Sequence, residues 1–263
     1  MIELSVNVNK IAWLRNARAG ARPSVLQATR AVIDAGAYGV TVHPRPDQRH
    51  ITPGDVTDIA DLLAVDFPAT EFNIEGNPLA GPRANGYPGF DWLIERTRPH
   101  QCTLVPDTDG QITSDHGWDL RGDIGELRDK IARYQQSGAR VSLFMDTDCA
   151  QIDRAAAVGA DRIELYTGPF ADTVRASGVG SSDAAASLAS YRQAAQHAVN
   201  VGLGVNAGHD LDLVNLPLFV QIPEISEVSI GHALICDALD MGLVRAVGAY
   251  LDILQSNSTR GSP

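Results

Sequence analysis

Short aliphatic runs alternate with longer segments of helical period along nearly the whole chain. The short runs have the length of strands, and several are rich in Val, Ile or Leu, as strands covered on both faces are. The pattern predicts eight strands: Glu3–Val8, Gly39–His43, Glu71–Ile74, Cys102–Val105, Arg140–Phe144, Arg162–Tyr166, Gly204–Asn206 and Glu227–Ile230.

Helical segments separate these strands, and a glycine directly follows four of them. Glycine adopts the left-handed conformation that ends a helix at little steric cost, so Gly36, Gly138, Gly159 and Gly202 are interpreted as C-caps. The predicted helices are Val25–Ala35, Val56–Val65, Ile124–Ser137, Gln151–Val158, Ala184–Val201 and Ala233–Leu254.

Eight strands alternating with helices predict an α/β fold, a (β/α)8 TIM barrel with additional helices. A doubly wound open sheet is the alternative, but the strand count and the lack of a glycine-rich first turn favour the barrel. Neither GxGxxG nor GxxxxGK[ST] occurs. We expect one barrel domain over residues 1–255 and a flexible polar tail over 256–263.

Composition narrows the class of protein. The 263 residues are 44% hydrophobic and 20% charged, which is typical of a globular domain. A formal net charge of −11 argues against nucleic acid or an anionic membrane as a partner. No secretory signal or membrane segment is apparent, and three widely spaced cysteines favour a reducing compartment, so we expect a cytoplasmic protein.

Five of the seven histidines fall just after predicted strands, where a parallel barrel carries its chemistry. Imidazole titrates near neutral pH, which suits it to proton transfer. No HxH or HExxH spacing occurs, so we favour acid–base chemistry and expect no metal. His116, His100 and His197 are interpreted as structural or surface residues. The five rim histidines are His43, His50, His116, His209 and His232.

Two carboxylates, Glu75 and Glu164, lie in or at the end of strands predicted to be buried. Burial raises the pKa of a carboxyl group unless a cation pairs with it, and a raised pKa permits proton exchange near neutral pH. A salt bridge to Arg45 or Arg18 is the alternative. Small residues after strands let backbone N–H groups approach a phosphate, although they also suit tight turns; these are Gly168, Gly208 and Gly231.

Seven segments of the chain resemble the pyridoxine 5'-phosphate synthase family, in that family's order and over nearly the whole length. They are Val6–Arg18, Gly39–Ile51, Phe72–Glu75, Arg140–Asp146, Ile163–Gly168, Val205–Leu211 and Ser229–Ile235.

The resemblance implies a cytoplasmic homo-octamer of (β/α)8 barrels with transferase activity and without a cofactor or metal. The implied reaction belongs to vitamin B6 biosynthesis. It condenses 1-deoxy-D-xylulose 5-phosphate with 3-amino-2-oxopropyl phosphate to pyridoxine 5'-phosphate, phosphate and water. The partners would therefore be small phosphorylated substrates, with no nucleic acid and no membrane.

The resemblance also implies residue roles. His43 and Glu75 match general bases, His209 matches a general acid, and Glu164 matches a residue that stabilises a transition state. The remaining matches are Asn7, Arg18, Gly231 and His232 for the amine phosphate, and Arg45, His50 and Thr113 for the deoxyxylulose phosphate.

The chain departs from the family pattern at three substrate-binding positions. Asn9 and Lys10 stand where many members carry Asp-His, and Asp210 stands where the family has Gly. The Gly- and Pro-rich segment Gly76–Gly89 is interpreted as a lid or an inert loop. Two alternatives remain: another phosphate-handling barrel enzyme, such as an aldolase or isomerase, and a retired paralogue that binds a phosphorylated metabolite without turning it over.

Overall fold

A computed structural model describes residues 1–18 and 20–258, within which eight parallel strands close into a barrel. Each strand pairs with the next along the chain, and β8 pairs with β1. The predicted (β/α)8 barrel is therefore confirmed. The strands are β1 Glu3–Asn7, β2 Gly39–Val42, β3 Glu71–Gly76, β4 Gln101–Leu104, β5 Arg140–Met145, β6 Arg162–Tyr166, β7 Gly204–Gly208 and β8 Ile225–Ile230.

Eleven helices of the described chain surround the barrel, and two consecutive helices follow each of β1, β6 and β8. The expected additional helices are thus present. None of the helices in the described ranges is both long and apolar enough to cross a membrane. The helices are α1 Asn9–Asn16, α2 Val25–Asp34, α3 Pro53–Asp66, α4 Phe90–Thr97, α5 Gly125–Gln136, α6 Cys149–Ala157, α7 Gly168–Ser177, α8 Ser182–Asn200, α9 Leu216–Phe219, α10 His232–Met241 and α11 Leu243–Ser258.

The last predicted helix, Ala233–Leu254, is wrong as a single element. It is divided into α10 and α11 at Gly242, whose φ of 89° is left-handed and ends a helix. The second part continues to Ser258 and so includes the first residues of the predicted tail. Residues 259–263 lie outside the described residues.

The four glycines interpreted as C-caps have φ between 90° and 105°. Each comes within two residues after a helix and precedes the next strand. The prediction that glycine ends these helices is confirmed.

Residues alternate strictly between the two faces of each barrel strand. Aliphatic side chains such as Val40 and Ile74 face the helices and are fully buried. The inward positions carry polar side chains that bond across strands. Ser5 Oγ lies 2.7 Å from Thr41 Oγ1, Asn73 Nδ2 donates to Thr41 Oγ1 at 3.3 Å, and Thr103 Oγ1 donates to Asn73 Oδ1 at 3.2 Å. The middle of the barrel is therefore a hydrogen-bonded layer.

Charged side chains close the N-terminal end of the barrel. Arg140 Nη2 lies 2.7 Å from Glu71 Oε2, and it also donates to Gln101 Oε1 at 2.8 Å. Arg162 Nη1 lies 3.7 Å from Glu227 Oε2. Burial raises the pKa of Glu227 to about 8, and the neighbouring charge of Glu71 adds to the effect. The two arginines therefore compensate buried carboxyl groups.

Replacing Arg140 by Met should test this compensation. Arg140→Met would leave Glu71 buried without its cation, so we expect the free energy of unfolding to fall by about 3 kcal/mol. We take the low end of the usual range because the Arg140 side chain is 31% exposed. Urea unfolding at pH 7 measures the change. The matched control is Arg128→Met on the exposed face of α5, and equal stability of the two variants would contradict the interpretation.

Candidate active site

The C-terminal ends of the strands surround a cavity of about 320 Å³. It is lined by every predicted site residue except Arg18, so side chains distant in sequence meet at one place. The predicted residues that line it are Asn7, Asn9, Lys10, His43, Arg45, His50, Glu75, Thr113, Glu164, His209, Asp210, Gly231 and His232.

Several predicted bystanders lie outside the cavity, and so does Arg18. Arg18 follows the end of α1 and its side chain is exposed. His116 is exposed and contacts Asp115. His100 Nδ1 accepts the backbone N–H of Phe72 at 3.1 Å, and His197 pairs with Asp153. Arg18 and His116 both follow predicted strands in the sequence, but neither side chain reaches the cavity.

Sequence reasoning missed five lining residues and gave no role to one buried carboxylate beside them. Ser229 could have been found, because strict alternation from Glu227 places it inward on β8. The others lie in irregular segments or are apolar, so their types carried no chemical signal. The lining residues are Val105, Ile112, Ser114, Phe144 and Ser229, and the carboxylate is Asp107.

His43 and Glu75 meet because β2 and β3 pair with Thr41 opposite Asn73, two residues before each. His43 Nδ1 lies 3.7 Å from Glu75 Oε2. Asn7 Nδ2 donates to the same oxygen at 3.3 Å. The other oxygen accepts from Ser229 Oγ at 3.4 Å. The carboxyl group is held at the barrel mouth beside the imidazole.

Burial sets the protonation of this group. It raises the pKa of Glu75 to about 8, and the charge of Asp107 adds to the shift. It also raises the pKa of Glu164 well above the usual range, with Glu75 and then Glu227 contributing. Burial lowers the pKa of His43 well below its ordinary value, and the Arg45 charge acts in the same direction. At neutral pH, Glu75 therefore retains its proton and His43 is uncharged.

The structure does not contain the alternative of a salt bridge from Arg45 to Glu75 or Glu164. Arg45 Nη2 lies 2.5 Å from Asp107 Oδ2, and Ser114 Oγ donates to that oxygen at 2.8 Å. His43 Nε2 is 3.8 Å from it. Arg45 is therefore paired with Asp107, and within the described ranges neither Glu75 nor Glu164 forms an ion pair with a Lys or Arg.

A positively charged corner lies beside this pair, after β1 and β2. His50 Nδ1 accepts the backbone N–H of Ile51 at 2.9 Å, so its proton resides on Nε2. Burial and the charges of Arg45 and Lys10 lower the pKa of His50 to about 3. Burial, followed by the charges of Arg45 and Arg49, lowers the pKa of Lys10. The corner combines cations with a neutral N–H donor, which suits an anion.

A second site for an anion lies at the N-terminus of α10. No side chain caps this helix, so its first backbone N–H groups, near Gly231 and His232, are open to a ligand. A Cβ at Gly231 would lie 3.0 Å from Cβ of Asn7. A Cβ at Gly208 would lie 2.2 Å from Glu164 Oε1. Gly208 thus makes room for the Glu164 carboxyl group.

The turn after β7 presents His209 to the cavity. His209 Nε2 lies 2.7 Å from Thr113 Oγ1, and its Nδ1 lies 2.9 Å from Asp210 Oδ2. The hydrogen bond from His209 lowers the pKa of Asp210, against the effect of burial. Asp210 lines the cavity but directs its carboxylate to a histidine.

The segment Gly76–Gly89 does not line the central cavity. It is joined to the β2–α3 segment, since Gln48 Nε2 donates to the carbonyl of Asn85 at 2.8 Å and Asn85 Nδ2 donates to that of Pro46 at 2.8 Å. The residues that reach the cavity come from the loop after β4, at 112–114. The interpretation of Gly76–Gly89 as a lid stays a prediction.

No group of three or more His, Cys, Asp or Glu side chains suited to a metal ion occurs within residues 1–18 and 20–258. The polar lining around the carboxyl groups instead contains four His side chains, two Asn side chains, Lys10 and Arg45. The donor set fits anions and hydroxyl groups.

Residues 4–256 match the model of one protein family, described as pyridoxal phosphate biosynthesis protein PdxJ. A pyridoxine 5'-phosphate synthase from Xanthomonas oryzae pv. oryzae is 56% identical over 257 residues, covering 97% of this chain and 98% of that protein. One from Xylella fastidiosa is 55% identical over 254 residues, covering 96% and 95%.

Solved structures similar to this chain share its fold at low sequence identity. The 3-hexulose-6-phosphate synthase from Salmonella typhimurium gives a TM-score of 0.62 at 13% identity, covering 97% of this chain and all of that one. A thiamine phosphate pyrophosphorylase from Pyrococcus furiosus gives 0.58 at 11%, covering 97% and 96%. These similarities establish the barrel and carry no argument about the reaction.

The raised pKa of Glu75 predicts a pH-dependent stability. The folded protein binds this proton more tightly than the unfolded chain, so stability is highest below the ordinary value of 4.5 and falls as pH rises toward about 8. Glu75→Gln keeps the shape and removes the titration. We expect its free energy of unfolding to decline less than that of the wild type between these pH values, with Glu164 and Glu227 causing the remaining decline.

Urea unfolding at pH 5 and pH 8 measures this difference. Glu126→Gln on the exposed face of α5 is the matched control and should decline in parallel with the wild type. A Glu75→Gln curve that also runs parallel would contradict the assignment of a raised pKa.

Proposed function

The chain belongs to the PdxJ family of pyridoxal phosphate biosynthesis proteins, and on this premise we propose that it catalyses the ring-closing condensation in vitamin B6 synthesis. The substrates would be 1-deoxy-D-xylulose 5-phosphate and 3-amino-2-oxopropyl phosphate, and the enzyme would act as a transferase. The observation that carries the proposal is that the family match spans residues 4–256 and that all the residues assigned by the resemblance except Arg18 line one cavity.

Two anion sites in one cavity support two phosphorylated substrates. Arg45 and His50 follow β2, whereas Gly231 and His232 follow β8, so the sites lie on either side of β1. Lys10, in the segment that follows β1, lies between the two sites. Local cations and N–H donors can thus hold anions despite the net charge of −11. Binding both substrates side by side would supply a large entropic advantage.

The protonation pattern supports the proton transfers that imine formation and loss of water require. His43, neutral at neutral pH, can take a proton, and Glu75 can give one and then act as a base. We assign general acid catalysis to His209. A protonated imine is cationic, so its formation would favour the ionised form of Glu164, which could then stabilise that charge.

The departure at Asn9 does not favour the retired paralogue. Asn9 Oδ1 accepts the backbone N–H of His43 at 2.9 Å, and the Asn9 backbone N–H donates to Asn7 Oδ1 at 3.0 Å. The Asn9 amide therefore holds the backbone of His43, which we assign as a general base, in position. Lys10 also lines the cavity, so a polar side chain is kept at this position.

We also propose a homo-octamer, as the resemblance implies. Large apolar side chains on neighbouring helices support burial against other copies. Trp13 and Leu14 of α1 are 42% and 55% exposed, and Leu239 of α10 is 75% exposed. Size-exclusion chromatography with light scattering should give a molar mass about eight times the 28.0 kDa of one chain. A monomeric mass would contradict the proposal.

The reaction itself can be tested with both substrates. Purified protein should form pyridoxine 5'-phosphate and release one phosphate for each product molecule, and omission of either substrate should abolish both signals. Folded protein that makes no product would refute the proposed function.

The same assay tests the role of His209. His209→Gln should fold and lose about 100-fold or more in kcat, because a group that moves a proton in the transition state has been removed. His197→Gln on α8, which lies away from the cavity, is the matched control and should keep wild-type turnover. Equal rates for both variants would refute the assignment.

A further inference from the structure

The turn that carries His209 has an unusual backbone. His209 and Asp210 have φ of 84° and 60°, a left-handed conformation that costs free energy for residues other than glycine. Neighbouring groups stabilise it. Thr167 Oγ1 donates to the carbonyl oxygens of Gly208, at 2.7 Å, and of His209, and Asn215 Nδ2 donates to that of Asp210 at 3.0 Å. Two consecutive side chains are thereby presented in fixed directions.

The contact between these side chains determines where the histidine proton lies. Asp210 Oδ2 is 2.9 Å from His209 Nδ1. The hydrogen bond from His209 lowers the pKa of Asp210, which is therefore ionised at neutral pH. A carboxylate can only accept hydrogen bonds, so Nδ1 must carry the proton.

The other ring nitrogen then has a defined role. In the neutral ring Nε2 is unprotonated, and the Thr113 hydroxyl donates to it at 2.7 Å. The ring of Tyr166 packs edge-on against the imidazole, with centroids 5.1 Å apart. Since Thr113 and His209 both line the cavity, Nε2 is the nitrogen placed to exchange protons there: it takes up a proton in the neutral ring and donates it, as a general acid, from the imidazolium.

We propose that Asp210 is a positioning residue, which holds His209 in the Nδ1–H tautomer with Nε2 directed to the substrates. This inference rests on the proposed function for its catalytic meaning. It replaces the expectation that Asp210 contacts substrate. A glycine at this position could offer only a backbone N–H, so the carboxylate gives this histidine a partner that glycine cannot supply.

Two substitutions at Asp210 should separate orientation from folding. Asp210→Gly and Asp210→Asn both tolerate positive φ, so the turn can be kept. Gly removes the acceptor, and the Asn amide can turn either its oxygen or its NH2 toward Nδ1. Circular dichroism and thermal unfolding should show that both variants fold.

Magic-angle-spinning NMR of protein labelled with ¹⁵N-histidine reads the tautomer directly, and the spectrum of His209→Gln assigns the His209 signals. In spectra recorded across a pH series, the neutral His209 ring of the wild-type protein should carry its proton on Nδ1, and both variants should show an added Nε2–H population. Asp172→Asn, which removes an exposed charge on α7, is the matched control and should leave the signals unchanged. An unchanged tautomer in Asp210→Gly would overturn the proposal.

Kinetics distinguish positioning from substrate binding. Both Asp210 variants should lose about 10- to 100-fold in kcat, the effect typical of losing an orienting partner, with little change in KM. A raised KM at unchanged kcat would instead identify Asp210 as a substrate ligand and overturn the proposal. If the wild type forms no product, the proposed function fails, and the tautomer measurement, which needs no substrate, still decides the role of Asp210.

Discussion

The interior of the barrel is polar from its N-terminal end to the active site, and every feature of the site depends on how those buried groups pair. Inward positions hold ion pairs around Arg140 at the bottom, a hydroxyl–amide layer around Asn73 in the middle, and carboxyl groups at the mouth. Hydrogen bonds and ion pairs across neighbouring strands offset part of the desolvation cost of these lower layers. The carboxyl groups at the mouth are the members of this column that a substrate can reach.

Pairing in the lower layers and at the rim explains the protonation of the mouth. At the bottom, Arg140 pairs with Glu71 and Arg162 only partly offsets the burial of Glu227, and Arg45 at the rim is paired with Asp107. Glu75 is left with neutral donors, which stabilise a carboxylate less than a cation does. Burial therefore dominates and keeps its proton in place near neutral pH. The site combines a protonated carboxyl group, which has no cation paired with it, with an imidazole that burial and the charge of Arg45 keep neutral.

Local sequence patterns predicted the barrel and most of the rim, because strand period, helix-ending glycines and the common C-terminal edge of parallel strands are properties of short segments. Pairing between distant segments could not be read in this way. The choice of Asp107 over Glu75 as the partner of Arg45 depends on the path of the loop after β4. The exposed position of Arg18 depends on where α1 ends. The break at Gly242 was missed because apolar residues continue the helical period on both sides of it.

The three departures from the family pattern make sense together as a redistribution of charge. An amide at Asn9 in place of a carboxylate and an ammonium at Lys10 in place of an imidazole both make this side of the cavity more positive. Asp210 returns one negative charge, and its field favours the charged form of Lys10. The Asp210 carboxylate is hydrogen-bonded to His209, so it does not face the phosphates as an unpaired anion. A substitution that would be repulsive alone is thus compatible with anionic substrates in this chain.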